Sequence, residues 1–354
     1  MFIRIPSVAI RPWAYATAAH AEGKQGTPRG RVLGQDARVP LARPSTAPTD
    51  ARDPDDVRAA ISAWFVAHAR DLPWRRPDRT AWGVLVSEVM LQQTPVVRVL
   101  PAWTDWMDWW PTPADLAAAS TADVLRAWGR LGYPRRALRL QECARTITER
   151  HGGAVPRTEV ELLALPGVGA YTAAAVIAFA YGGRSVVLDT NVRRVLARAI
   201  GGVALPPPSQ TVAEVRSAAA LVPLDPAEAA LWAAASMELG ALVCTARAPQ
   251  CPACPIEARC AWRQAGQPTD VHLARRRTQA WAGTDRQARG RVMALLREAL
   301  EPVPRAAIDG LWPDRDQLDR CLDSLVADGL AQELTTETAP PRYRLPAGTV
   351  AADR

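Results

Sequence analysis

Apolar residues recur at three- and four-residue spacing along nearly the whole stretch from Asp55 to about Gln264, the period of helices that bury one face. The pattern is interrupted at Pro73, Pro101, Pro111, Gly132, Gly152, Pro166 and the run Pro206 to Pro208, where proline or glycine ends or redirects a helix. This predicts an all-α body. Residues 1–54, rich in Ala, Pro, Arg, Thr and Gly without a sustained period, read as a disordered N-terminal extension. Residues 265–284, with Arg275, Arg276 and Arg277, read as a basic linker. Beyond it, the pattern predicts helices over 285–300, 303–311 and 316–328 and a hairpin pairing 330–334 with 342–345. Three helices and a hairpin make 285–354 a winged-helix-like module.

One run departs from its own helical pattern. In "VSEVMLQQTP", residues 86–95, the neighbours of Glu88 on a helix are Val84, Leu85 and Leu91. A carboxyl desolvated there keeps its proton towards neutral pH; the alternative is a side chain that snorkels to solvent from the helix rim. "VVLDTNVRRVLAR", residues 186–198, reads as a strand-like segment entering a helix with Asp189 at the N-cap. Capping alone accounts for an aspartate in that position. If both carboxyls function, Glu88 desolvated and Asp189 held ionised by helix N–H groups, they form a pair suited to acid and anion roles at a glycosidic bond.

Two further patterns narrow the chemistry. In "LLALPGVGAYTAAAVIAFAYG", residues 162–182, Pro166, Gly167 and Gly169 separate two helical stretches. Such a turn can aim backbone N–H groups at a DNA phosphate without reading sequence, although a plain tight turn would look similar. Cys244, Cys251, Cys254 and Cys260 cluster with gaps of six, two and five residues. Without a secretory signal this density indicates metal ligation, and thiolates suit zinc and an iron–sulfur cluster equally. Cys143 and Cys321 stand apart and read as ordinary buried residues. The net charge of +7 permits a polyanionic partner. All but one of the 43 basic residues are arginine, Lys24 being the sole lysine. No apolar run approaches the roughly 20 residues of a membrane span.

Taken together, "SEVMLQQT", "LGY", "LPGVGAYTA", "LDTNVRRVLAR", "MELGALVC" and the cysteine spacing resemble the adenine DNA glycosylases of the helix–hairpin–helix superfamily, the MutY-type enzymes. The similarity runs over about residues 57–264. It implies two helical lobes: a six-helix barrel, residues 81–189, and a cluster-bearing domain built from 55–80 and 190–264. DNA would lie in the cleft between them. The implied partner is double-stranded DNA carrying adenine opposite guanine or oxidised guanine. The resemblance further implies a [4Fe-4S] cluster on the four cysteines, Glu88 as general acid and Asp189 as electrostatic partner. It makes Asn191 an organiser of the site. Leu91, Gln92, Gln93 and Thr94 become the wedge left by the flipped base, and Tyr133 the intercalating residue beside the opposite purine. Gly167 and Gly169 would hold phosphate. A nucleoid-associated cytoplasmic monomer, with no membrane partner, is expected.

Endonuclease III relatives carry a catalytic lysine where this chain has Tyr171, and no lysine occurs in residues 25–354. A Schiff base needs an amine, so a monofunctional enzyme is expected. Pro134 stands where members of the family often have a second tyrosine. A thymine or uracil mismatch glycosylase on the same scaffold is the nearest alternative, and a non-catalytic DNA-binding regulator a further one. The lesion-reading C-terminal domain of many adenine glycosylases does not fit within 285–354. The linker and terminal module are therefore expected to add phosphate contacts that carry no base information.

Overall fold

The computed structural model describes residues 53–275, 281–336 and 339–348. The expected extension lies outside them except for its last two residues, and so do Arg276 and Arg277 of the linker. Helix α1 (Pro54–His68) starts at once, with Pro54 in its first turn and the Asp53 carboxylate accepting from the Asp55 N–H. A 3-10 turn at Pro73–Arg75 leads into α2 (Ala81–Leu91), α3 (Val96–Trp109), α4 (Pro113–Ala118), α5 (Thr121–Trp128), α6 (Arg135–Arg150), α7 (Glu159–Leu163) and α8 (Ala170–Tyr181). Then follow α9 (Thr190–Ala199), α10 (Val212–Ala220), α11 (Pro226–Leu242) and the short α12 (Ala261–Gln264). Side-chain N-caps open most of them: Thr80, Ser120, Thr158, Asp189, Thr211 and Asp225 each accept a backbone N–H of the first turn.

Two separate cores result. The larger packs α2 through α8 around Leu85, Met90, Trp106, Leu116, Leu140 and Ile147, with Trp106 and Trp128 edge to face at 5.5 Å. Leu72 and Trp74 join this core although they precede α2. The smaller packs Val57, Ile61 and Phe65 of α1 against Val195 of α9, and Trp232 and Leu239 of α11, with Ile256 from the cysteine loop. The lobes touch through alanines, Ala174, Ala175 and Ala178 of α8 against Ala233 of α11, which lets the two helices approach closely.

Two sequence expectations for this body need correction. Pro101 does not end a helix; α3 runs through it. An internal proline costs about 3 kcal/mol, which burial of Val99 and Trp106 on the inner face offsets. The strand-like segment 186–188 is no strand, because among the described residues no neighbouring strand pairs with it. Val187 and Leu188 are instead buried, Val187 against Ala233 and Leu188 against Val192.

The C-terminal module comprises α13 (Asp285–Glu298), β1 (Val303–Pro304), α14 (Arg305–Asp309), α15 (Arg315–Ala327), β2 (Gln332–Thr336) and β3 (Ala339–Arg344). Its antiparallel sheet has the order β1-β3-β2, with Val303 opposite Tyr343 and Glu333 also opposite Tyr343 on the other edge. This is the arrangement of a winged helix. The helix expected over 303–311 therefore starts only at Arg305, since Val303 and Pro304 are spent on a third strand. Cys143 and Cys321 are both buried, as expected. The module's core residues Val292, Met293, Leu318 and Leu322 continue into the barrel core without a break. The exposed face of α15 carries Asp316, Asp319 and Asp323 beside Arg315 and Arg320, so it offers no basic stripe to a polyanion.

Candidate active site

A cleft of about 1090 Å³ runs between the lobes, lined among others by Glu88, Tyr171, Asp189, Asn191, Arg75 and Glu238. Helix α2 supplies Glu88, which is 4% exposed, so it does not snorkel. The Tyr171 hydroxyl, from the facing α8, donates to its Oε2 at 2.7 Å. Burial pushes the Glu88 carboxyl up to about 7; the Tyr171 hydrogen bond and Arg75 oppose the shift, and the nearby Asp189 charge adds to it. Tyr171 is itself raised, first by its own burial, which keeps it a protonated donor.

Asp189 caps α9. Its Oδ1 accepts the N–H groups of Asn191 (2.9 Å) and Val192 (2.7 Å), and its Oδ2 accepts the Asn191 amide at 2.8 Å. Burial raises the carboxyl from its ordinary value, and these bonds to Val192 and Asn191 pull it back towards the anion. Asn191 is held in turn by Arg194, whose Nη2 donates to Asn191 Oδ1 (2.8 Å) and to the Gly240 carbonyl (2.6 Å). The Nε of Arg194 reaches the carbonyl of Cys244 at 2.6 Å. One guanidinium thus links the start of the cysteine loop to the Asp189 cap.

Sequence reasoning missed Glu238, Arg70 and Arg75. Glu238 of α11 is fully buried and receives Arg70 Nε (2.8 Å), Arg70 Nη2 (2.6 Å) and Arg75 Nη2 (3.0 Å). Burial pushes its carboxyl up, but the two arginines outweigh this and leave it at about 2. Arg75 keeps a buried Nη1 that has no acceptor among the described residues. The signal was present: Glu238 interrupts an apolar helix just as Glu88 does.

At the mouth of the cleft, Leu91, Gln92, Gln93 and Thr94 leave the end of α2. Gln93 has φ +56° and Tyr133 φ +47°, two of only three non-glycine residues with positive φ among those described. Both loops are held by Arg136, which donates to the carbonyls of Val89 (2.7 Å) and Gly132 (3.1 Å) and to the Thr94 hydroxyl (3.1 Å). Thr94 in turn donates to the Leu131 carbonyl at 3.0 Å. Gly167 sits at φ +76°, where a Cβ would come within 2.9 Å of Arg139 Cβ. Gly169 begins α8 with no side-chain cap, so the N–H groups of that turn are left for an outside acceptor.

The four cysteines line one cavity with Arg198, which donates to Cys244 Sγ at 3.4 Å. Among the described residues no group of three or more His, Cys, Asp or Glu is gathered closely enough for a single metal ion.

Residues 86–220 match the family described as HhH-GPD superfamily base excision DNA repair protein. The chain is 52% identical to the adenine DNA glycosylase of Mycolicibacterium smegmatis over 80% of its own length and 94% of that protein. To the human adenine DNA glycosylase it is 45% identical, over 58% of its length and 39% of that protein. The chain belongs to the adenine DNA glycosylase family. Members share the lobes with other glycosylases: a thermostable thymine-DNA glycosylase superposes with a TM-score of 0.54 at 26% identity, over 60% of this chain and 97% of that one. An endonuclease III bound to DNA superposes with a TM-score of 0.51 at 24% identity, over 61% of this chain and 99% of that one, which supports the fold alone. Among the described residues no helix is long and apolar enough to cross a membrane.

Proposed function

We propose that this protein removes adenine mispaired with guanine or oxidised guanine in duplex DNA, by hydrolysis of the N-glycosidic bond. The observation that carries the reading is Glu88: a buried carboxyl titrating near 7, hydrogen-bonded by Tyr171, in the same cleft as Asp189. Protonated Glu88 gives its proton to a ring nitrogen of the flipped adenine, so the base leaves with the bonding electrons as a neutral species. Asp189, oriented by Asn191, stabilises the cationic sugar, and water completes the hydrolysis. Arg75, with its unpartnered Nη1, offers the base a donor in a pocket walled by Glu238.

Leu91, Gln92, Gln93 and Thr94 fill the vacated stack, Tyr133 intercalates beside the opposite purine, and the turn at Gly167 and Gly169 holds a phosphate. Tyr171 in place of a lysine supports hydrolysis without strand nicking. The donor set of four thiols lining one cavity fits a [4Fe-4S] cluster held by Cys244, Cys251, Cys254 and Cys260. Such a cluster supplies structural cross-linking of the loop; the proton chemistry above needs no electron transfer. We further read the protein as a monomer of the cytoplasm, associated with the nucleoid.

Single-turnover assays on duplexes with A:G, A:oxoguanine, T:G and U:G pairs test the proposal. Excision confined to adenine is expected. Release of thymine or uracil, with adenine retained, would instead support the mismatch-glycosylase alternative.

A further inference from the structure

Tyr133, on the strained loop between α5 and α6, is 38% exposed, and its ring does not stand free. The guanidinium of Arg286, in the first turn of α13, lies 4.4 Å from its ring centroid, and Arg136 lies 5.7 Å away. Arg286 also stacks on Trp281, 5.3 Å from that ring. Arg136 also lies 5.1 Å from the Trp128 ring centroid. Rings and guanidiniums alternate from the module to the barrel core: Trp281, Arg286, Tyr133, Arg136, Trp128.

The start of α13 is fixed for this purpose. Thr284 caps it, and Gln317 of α15 donates to Asp285 Oδ1 (2.7 Å) and to the Gly283 carbonyl (3.1 Å). The module is also pinned to α6 close by, where Arg135 pairs with Asp328 at 3.3 Å and Gly329 adjoins Leu138. Helix α15 lacks a basic face, and the start of α13 packs directly on the Tyr133 loop.

We propose that Arg286 is a positioning residue for opposite-base recognition: stacked on Tyr133, it holds that ring in the orientation in which it enters the duplex, so the winged-helix module acts on mispair selectivity through protein–protein contact rather than by gripping DNA. The inference rests on Tyr133 contacting the opposite purine, as proposed above. An arginine plane stacked on a ring restricts its tilt, and a cation–π contact supplies the hold.

The test is a double-mutant cycle in the full chain with Arg286→Ala and Tyr133→Ala, read as the ratio of single-turnover excision from A:G and from A:T duplexes, with the salt dependence of duplex affinity measured alongside. Arg286→Ala should lower the ratio by about 5-fold or more and have no further effect once Tyr133 is alanine, with an unchanged salt slope. Multiplicative effects, or a salt slope reduced by about one unit, would show a direct phosphate contact and overturn the proposal. Both residues are at least partly exposed, so neither variant threatens folding. Failure of the wild-type chain to excise adenine would defeat the glycosylase reading instead. The same cycle run on affinity for mispaired against paired duplex then decides the positioning claim without excision.

Discussion

Glu88 is held in its protonatable state at a cost to the fold. Its folded value of about 7 lies above the unfolded value of 4.5, so the folded protein binds the extra proton between those limits. Stability is fully present below about 4.5 and falls as pH rises through 7, by about 3 kcal/mol. Glu88→Gln removes that slope. Its unfolding midpoint, measured by urea titration, should match the wild type at about pH 4 and exceed it at about pH 8. Glu238 behaves in the opposite sense: its folded value of about 2 lies below 4.5, so its contribution is present above 4.5 and is lost as pH falls towards 2. Glu238→Gln leaves the half-buried Arg70 and Arg75 without their counter-charge and should cost about 3 kcal/mol in the same titration, the low end for breaking a buried pair. Glu88 was legible because an acid amid Val84, Leu85 and Leu91 contradicts its helix. Glu238 contradicts its helix equally, but its partners lie more than 160 residues away in the chain, and no local pattern announces such a pair.

Elements place these residues by close approach. Helix α11 passes α9 where Gly240 meets Asn191; a Cβ on Gly240 would lie 2.7 Å from Asn191 Cβ and 2.8 Å from its carbonyl oxygen. Gly240→Ala therefore forces the N-terminus of α9 aside and moves Asp189 with it. Displacements of about 1 Å cost roughly 100-fold in rate, so single-turnover excision should fall by at least about 10-fold while the helical circular dichroism is kept. An unchanged rate would show that the cap tolerates the shift. The sequence displays the helices themselves, because periodicity and caps such as Thr80 and Asp225 are local. It does not display the strand at Val303, whose partner Tyr343 is 40 residues on, nor the continuity of α3 through Pro101, which depends on the core beneath it.

At the scale of the whole molecule, the two lobes line one cleft, the cysteine loop is tied to the Asp189 cap through Arg194, and the winged helix packs beside Tyr133. Purified protein should contain iron and sulfide in equal amounts, and Cys251→Ser should weaken duplex binding and solubility together; zinc without iron, by elemental analysis, would contradict the cluster reading. With the opposite base read by Leu91, Gln93, Thr94 and Tyr133, excision from A:G should be comparatively efficient and the preference for oxidised guanine small, as the four-duplex assay will show. The two-lobed plan was legible in the order of the motifs. The docking of the module beside Tyr133 was not, because Arg286 and Tyr133 meet only through tertiary packing. The central claim is that a buried acid on α2 drives base loss, and the most direct test is single-turnover excision from an A:G duplex by wild type and Glu88→Gln across pH, with duplex affinity measured on the same samples. The wild-type rate should decline as pH rises through about 7, while Glu88→Gln binds within about 3-fold and excises at least about 1000-fold more slowly. Excision by Glu88→Gln within about 10-fold of wild type, with the same pH profile, would contradict it.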